Sequence, residues 1–248
     1  MTLLARRPRV AVAVFPGTWS ERDFAHVATE VLGWDARLVW HAEDDLGACD
    51  AVVLPGGFAH GDYLRTGAVA RFSPVMRAVA AFAAAGGPVI GSCNGFQILT
   101  EAGMLPGALM RNDHLEFRCD WQTLRVEHPD ASEAWLGDLA DGELIDLPIS
   151  HGEGRYVADA ATLDQLEAER RVVLRYADAA GRITADANPN GSERGIAGIV
   201  NEAGNVLGLM PHPERASESE VGGTDGLRLF RSLERWLQAR PAAAERRL

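Results

Sequence analysis

Cys93, His212 and Glu214 are the residues whose types and settings fit nucleophilic chemistry. Cys93 lies in Gly91-Ser92-Cys93-Asn94-Gly95, the G-x-C-x-G form of a nucleophile elbow. In such an elbow a sharp strand-to-helix turn pushes one side chain out at the carboxyl edge of a sheet. Flanking glycines let backbone and substrate approach closely. A thiol at a helix N-terminus also feels the helix dipole and its free N–H groups, which favours the thiolate. The competing reading is a buried cysteine in a tight turn; the strand expected before Cys93 and the helix expected after it favour the elbow. Cys49 and Cys119 lack that context and read as structural.

The base is sought in Leu209-Met210-Pro211-His212-Pro213-Glu214-Arg215, which follows another expected strand. Pro213 disfavours helix at His212, so the segment is predicted to be extended, with His212 and Glu214 on one side. A carboxylate beside an imidazole fixes its tautomer and steadies its charged form, as in a Cys-His-acid triad. The alternative is a surface loop carrying two polar residues. Oxyanion donors are sought in Leu54-Pro55-Gly56-Gly57-Phe58, also after a strand end, where backbone N–H groups can turn toward a bound carbonyl. The N–H of Asn94 supplies the second donor. Taken alone, the paired glycines read as a plain tight turn.

These residues need a sheet to bring them to one edge. Apolar, β-branched runs predict strands at residues 10–15, 37–40, 51–54, 88–90, 172–176, 196–200 and 206–210. Helices are predicted after a capping Ser20, with Phe24, Val27, Val31 and Leu32 on one face, over residues 67–85, and over 96–102 with Gly103 as the stop. A closing helix carries Leu227, Phe230, Leu233 and Leu237. Strands alternating with helices give an α/β fold with a mostly parallel sheet covered on both faces. Residues 110–160 lose that rhythm and read as inserted strands and loops, and 240–248 are expected to fray. One domain spanning residues 1–248 is the expectation.

Composition narrows the function classes. The 248 residues hold 35 acidic and 24 basic side chains, a net charge of -11, which gives no basic footprint for nucleic acid and no attraction to anionic membranes. Every basic residue is Arg, so lysine Schiff-base chemistry and a Walker lysine are excluded. Three cysteines at unrelated spacings make neither a disulfide frame nor a zinc site, and no metal-ligand motif is present. No run approaches the roughly 20 apolar residues of a membrane span, and the start has no signal-peptide core; a soluble, cytoplasmic protein is expected.

Taken together, these residues resemble the class I glutamine amidotransferases, which place a Cys-His-Glu triad on a flavodoxin-like three-layer sandwich. Within that family the resemblance is to glutaminases that serve phosphoribosylformylglycinamidine synthase in purine biosynthesis. It is carried by Val14-Phe15-Pro16-Gly17-Thr18, Gly61-Asp62-Tyr63-Leu64-Arg65, Cys93-Asn94-Gly95-Phe96-Gln97, Leu105-Pro106-Gly107-Ala108-Leu109, His151-Gly152-Glu153-Gly154-Arg155-Tyr156, Asn188-Pro189-Asn190-Gly191-Ser192 and the His212 segment, over residues 8–238. It implies Cys93 as nucleophile, His212 as general acid/base, Glu214 as its orienting partner, Gly57 and Asn94 as oxyanion donors, and Gln97, Phe58, Thr18, Ser150 and Gly152 as contacts for glutamine. The chain departs from the family's usual residues at Trp19-Ser20, His60, Thr66 and Ser92.

The resemblance also implies partners: L-glutamine, a larger synthetase subunit that uses ATP and Mg, and a small accessory subunit. No cofactor is expected in this chain, and its Met1 start is expected to mark a separate subunit rather than part of a fused one. The rival readings are a glutaminase for another acceptor (pyridoxal phosphate, imidazole glycerol phosphate or CTP synthesis), a related elbow-cysteine hydrolase or stress protein, and a non-catalytic scaffold. The intact Cys93, His212 and Glu214 weigh against the scaffold.

Overall fold

The computed structural model describes residues 6–239; the expected fraying of 240–248 lies outside the described residues. Eleven strands alternate with helices. They are β1 (Arg9–Val14), β2 (Asp35–Trp40), β3 (Ala51–Leu54), β4 (Val89–Ser92), β5 (Ala108–Met110), β6 (Arg118–Val126), β7 (Leu144–His151), β8 (Arg155–Val157), β9 (Val172–Tyr176), β10 (Ile196–Val200) and β11 (Val206–Leu209). The helices are α1 (Glu21–His26), α2 (Pro74–Ala84), α3 (Asn94–Glu101), α4 (Glu133–Leu136), α5 (Ala160–Ala168) and α6 (Leu227–Ala239).

Nine strands form one sheet in the order β2-β1-β3-β4-β11-β10-β9-β6-β7. The first five are parallel neighbours. From β11 onward every neighbour is antiparallel. β3, β4 and β11 are buried along their whole length, as expected of unbroken apolar runs covered on both faces. Alternation along β1 sends Val10 and Val12 into one core with Phe24, Trp135 and Phe230, under α1, α4 and α6. Ala11 and Ala13 enter the other, with Val75, Val79, Phe96 and Leu99, under α2 and α3. The result is the three-layer α/β sandwich that the sequence implies.

The inserted stretch supplies strands within the one sheet: β6 and β7 extend it, and the sheet curls so that Pro148 and Ser150 of β7 return to the elbow. Two expectations are corrected. The helix expected over 67–85 begins only at Pro74, because Gly67 sits at φ 76 and Ser73 is extended ahead of a proline that suits the first helical turn. Ser20 precedes α1 but makes no side-chain cap; its Oγ accepts a hydrogen bond from Arg215 Nη2 at 3.2 Å. Among the described residues no helix is long and apolar enough to cross a membrane.

Candidate active site

Cys93 joins β4 to α3 in a conformation that side chains rarely adopt, φ 51 and ψ -107. Such strain costs roughly 1–3 kcal/mol and persists only where the surroundings enforce it. Here the Cys93 N–H donates to Leu209 O at 2.8 Å, locking the elbow to the end of β11. Beneath it α3 lies almost on β3: a Cβ on Gly95 would fall 1.9 Å from Leu54 O. The parallel pairing of Ser92 with Leu209 sets the register that brings His212 beside Cys93.

His212 and Glu214 meet as expected, by a different route. Pro213–Arg215 forms a 3-10 turn rather than an extended strand, Pro213 fitting its first position. His212 Nδ1 donates to Glu214 Oε1 at 2.6 Å, with both side chains shut away from solvent. Burial opposes charge on His212, but Glu214 and Cys93 together outweigh it and raise its pKa to about 10. The His212 N–H is pinned to Pro148 O at 2.8 Å. His212 Nε2, the nitrogen that faces the nucleophile's role, is buried without a hydrogen-bond partner, while Cys93 Sγ leans to Ser150 O at 3.7 Å. Cys93 lies close enough to His212 to help hold its proton, and Glu214 backs the imidazole from the other side.

The loop after β3 runs against the imidazole: a Cβ on Gly56 would fall 2.6 Å from His212 Cε1. Gly57 has φ 147, and a Cβ there would strike the Trp19 backbone nitrogen, so only glycine fits. The crossing chain after β1 holds this loop through Trp19 N–H to Gly56 O, 3.0 Å, and Phe58 N–H to Gly17 O, 2.8 Å. Among the described residues neither the Gly57 nor the Asn94 N–H donates to a backbone carbonyl, which leaves both for an oxyanion.

The residues expected to contact glutamine have these settings. Ser150 presents its carbonyl to Cys93, and Gly152 lies half-buried beside Phe117. Phe58 is exposed, and the Thr18 Oγ1 accepts from Phe15 N–H at 2.8 Å. Gln97 is held by protein contacts: its Oε1 accepts from Asn94 Nδ2 at 2.8 Å and its Nε2 donates to Glu153 O at 2.5 Å, which leaves one lone pair and one N–H of the amide unspent by these bonds. Asn94 Oδ1 in turn accepts from Ala59 N–H at 3.0 Å, tying the oxyanion loop to the elbow.

Sequence reasoning missed the network behind these loops. Asn112 Oδ1 accepts from Gly154 N–H at 3.0 Å and pairs with His151 Nδ1 at 3.2 Å, while its Nδ2 donates to the Glu116 and His151 carbonyls. Asn190 Nδ2 donates to Gly154 O at 2.9 Å, and Asn188 Oδ1 caps the turn over Gly191 and Ser192. The signal was the turn chemistry of the Asn-rich stretch. Buried His151 is kept neutral, its pKa pushed down to about 3 by desolvation and by nearby His212. His60, one of the departures, packs edge-on to His41 at 5.1 Å, and Thr66 is buried. Among the described residues no three His, Cys, Asp or Glu side chains are grouped to hold a metal ion.

Residues 7–237 match the CobB/CobQ-like glutamine amidotransferase domain family. The phosphoribosylformylglycinamidine synthase subunit PurQ of Gloeobacter violaceus is 58% identical over 225 residues, covering 91% of this chain and 96% of the relative. Its counterpart from Salinibacter ruber is 56% identical over 225 residues, 91% of this chain and 95% of its own. A chain in the structure of PurLQS from Thermotoga maritima is 42% identical and superposes with a TM-score of 0.82, covering 93% of this chain and 99% of that one. At this identity and coverage, the chain belongs to the class I glutamine amidotransferases, in the PurQ-type branch of that family.

Proposed function

We propose that this chain is the glutaminase subunit of a phosphoribosylformylglycinamidine synthase. It hydrolyses L-glutamine to glutamate and ammonia and hands the ammonia to a synthetase, which uses ATP and Mg to convert formylglycinamide ribonucleotide to formylglycinamidine ribonucleotide. The observation that carries the reading is the buried 2.6 Å His212–Glu214 pair beside a cysteine held in a strained elbow. The names of relatives aligned over nine-tenths of the chain supply the acceptor.

In this reading the Cys93 thiolate attacks the side-chain carboxamide carbon, and the oxyanion is held by the Gly57 and Asn94 N–H groups. The His212 imidazolium gives its proton to the departing nitrogen, so ammonia leaves and a thioester remains on Cys93. His212, now neutral, takes a proton from water; the hydroxide adds to the thioester, and glutamate leaves as Cys93 returns to thiolate. Glu214 holds the imidazole in the Nδ1–H tautomer throughout. Gln97, Ser150, Gly152, Phe58 and Thr18 surround the remainder of glutamine. The larger synthetase and a small accessory subunit complete the assembly, in the cytoplasm.

The test is reconstitution with those two subunits, ATP, Mg and formylglycinamide ribonucleotide. Glutamine-dependent amidine formation is expected with wild type and not with Cys93→Ala, while added ammonia restores product in the mutant mixture. Glutamine hydrolysis without amidine product would move the acceptor elsewhere.

A further inference from the structure

Glu214 is a carboxylate with no exposed side-chain surface, so both of its oxygens need donors from the protein. Oε1 takes the His212 Nδ1–H at 2.6 Å, with Arg215 Nε 3.9 Å away. Oε2 has one hydrogen-bond donor among the described residues, the Ser92 hydroxyl at 3.4 Å. Ser92 is itself fully buried at the end of β4, one residue before the nucleophile. Its Oγ also lies 3.2 Å from Pro211 O and 3.5 Å from His212 Nδ1. The hydroxyl has one proton to give, and an ionised acceptor outcompetes a neutral carbonyl for it.

We propose that Ser92 is a positioning residue of the triad, its hydroxyl holding the second oxygen of Glu214 so that the carboxylate stays turned against His212. The proposal rests on the Cys93–His212–Glu214 reading and adds to it a residue that touches neither substrate nor sulfur. One side chain at the elbow thus couples the two halves of the machinery: the turn that strains Cys93 also carries the group that steadies the acid beneath its base.

Other titratable or charged groups around this pair are Cys93 from the elbow, His151 from β7, Arg215 beside Glu214, and Asp23 of α1, which meets Arg215 Nε at 3.3 Å. None of them gives Oε2 a hydrogen bond. Without the hydroxyl, Oε2 has no hydrogen-bond donor among the described residues and the carboxylate is free to turn from His212. Glu214 is one of the groups that raise the His212 pKa, so a carboxylate turned away supports the imidazolium less and the alkaline limb of activity moves down in pH.

The test compares wild type with Ser92→Ala, Ser92→Thr and Ser92→Val, following glutamine hydrolysis by the assembled complex and alkylation of Cys93 by iodoacetamide in the full chain, both against pH. Loss of the hydroxyl in the Ala and Val variants is expected to lower the alkaline limb of activity by about one pH unit or more. It should also lower kcat by about tenfold, leaving KM near wild type. Thr, which keeps the hydroxyl, restores both. Thr and Val share a shape, so their difference isolates the hydroxyl even if the Ala variant does not fold. Unshifted profiles in Ala and Val, or a Thr variant as impaired as Val, would overturn the proposal while wild-type hydrolysis leaves the triad standing. A wild type without glutamine hydrolysis, or with Cys93 unreactive, would remove the triad reading itself.

Discussion

At the level of single residues, the site depends on two buried histidines held in opposite states. His212 keeps its proton because Glu214 and Cys93 overcome burial; His151 loses its proton because burial dominates. In the proposed mechanism the first supplies the acid for ammonia departure and Cys93 the nucleophile, so Cys93→Ala should abolish glutamine hydrolysis, roughly 10^4-fold or more, with an unchanged thermal melt. The second has a consequence for stability. With a folded pKa near 3 against 6.5 in the unfolded chain, His151 leaves the unfolded state holding more protons between those values. Its contribution is therefore present above pH 6.5 and lost as pH falls toward 3. Asp62, raised to about 6 by burial and by Glu153, acts in the opposite sense over pH 3.8 to 6. His151→Asn, whose amide can still donate to Asn112, should flatten the acid-side loss in urea unfolding at pH 4.5 relative to pH 7. An unchanged slope would show that His151 is not its source. The His212–Glu214 pair and the Cys93 elbow were legible in the sequence because they lie next to strand ends and a proline. The bonds that Ser92, Asn112 and Gln97 make to protein were not, since they exist only where distant chains converge.

At the level of elements, the elbow works because α3 is pressed onto β3 and β11 at backbone distance. A methyl on Gly95 would overlap Leu54 O, whereas Gly103, past the end of the same helix, has φ 68 and open space around it. Gly95→Ala should therefore destabilise by about 2 kcal/mol or more and displace Cys93, costing activity as well. Gly103→Ala should cost only about 1 kcal/mol of left-handed strain and leave activity intact. Chemical denaturation of the two variants, paired with glutaminase assays, separates these outcomes; equal costs would contradict the close-packing account. Helix starts were harder to read than strands. The apolar spacing through residues 67–85 hid a left-handed glycine and an extended serine ahead of Pro74. In the same way i, i+2 geometry placed His212 beside Glu214 correctly, although the backbone between them turns rather than extends.

For the whole molecule, the topology gathers the Gly57 loop, Cys93 and His212 at the carboxyl ends of β3, β4 and β11, three adjacent parallel strands, with β7 curling back to close one wall. The alternation of strands and helices announced this sandwich, but the curl could not be read from residues 110–160, because it arises from pairing with β9 far along the chain. Steady-state glutamine hydrolysis by the isolated chain is expected to be slow and to rise at least tenfold when the synthetase and its ribonucleotide are added; full activity of the chain alone would contradict that dependence. The most direct check of the central claim, that Cys93 is the nucleophile for glutamine, is intact-mass analysis after exposure to a glutamine-mimicking electrophile. One adduct on Cys93, absent in Cys93→Ala and suppressed by glutamine, is the expected result. Label on Cys49 or Cys119 instead, or none that glutamine protects against, would contradict it.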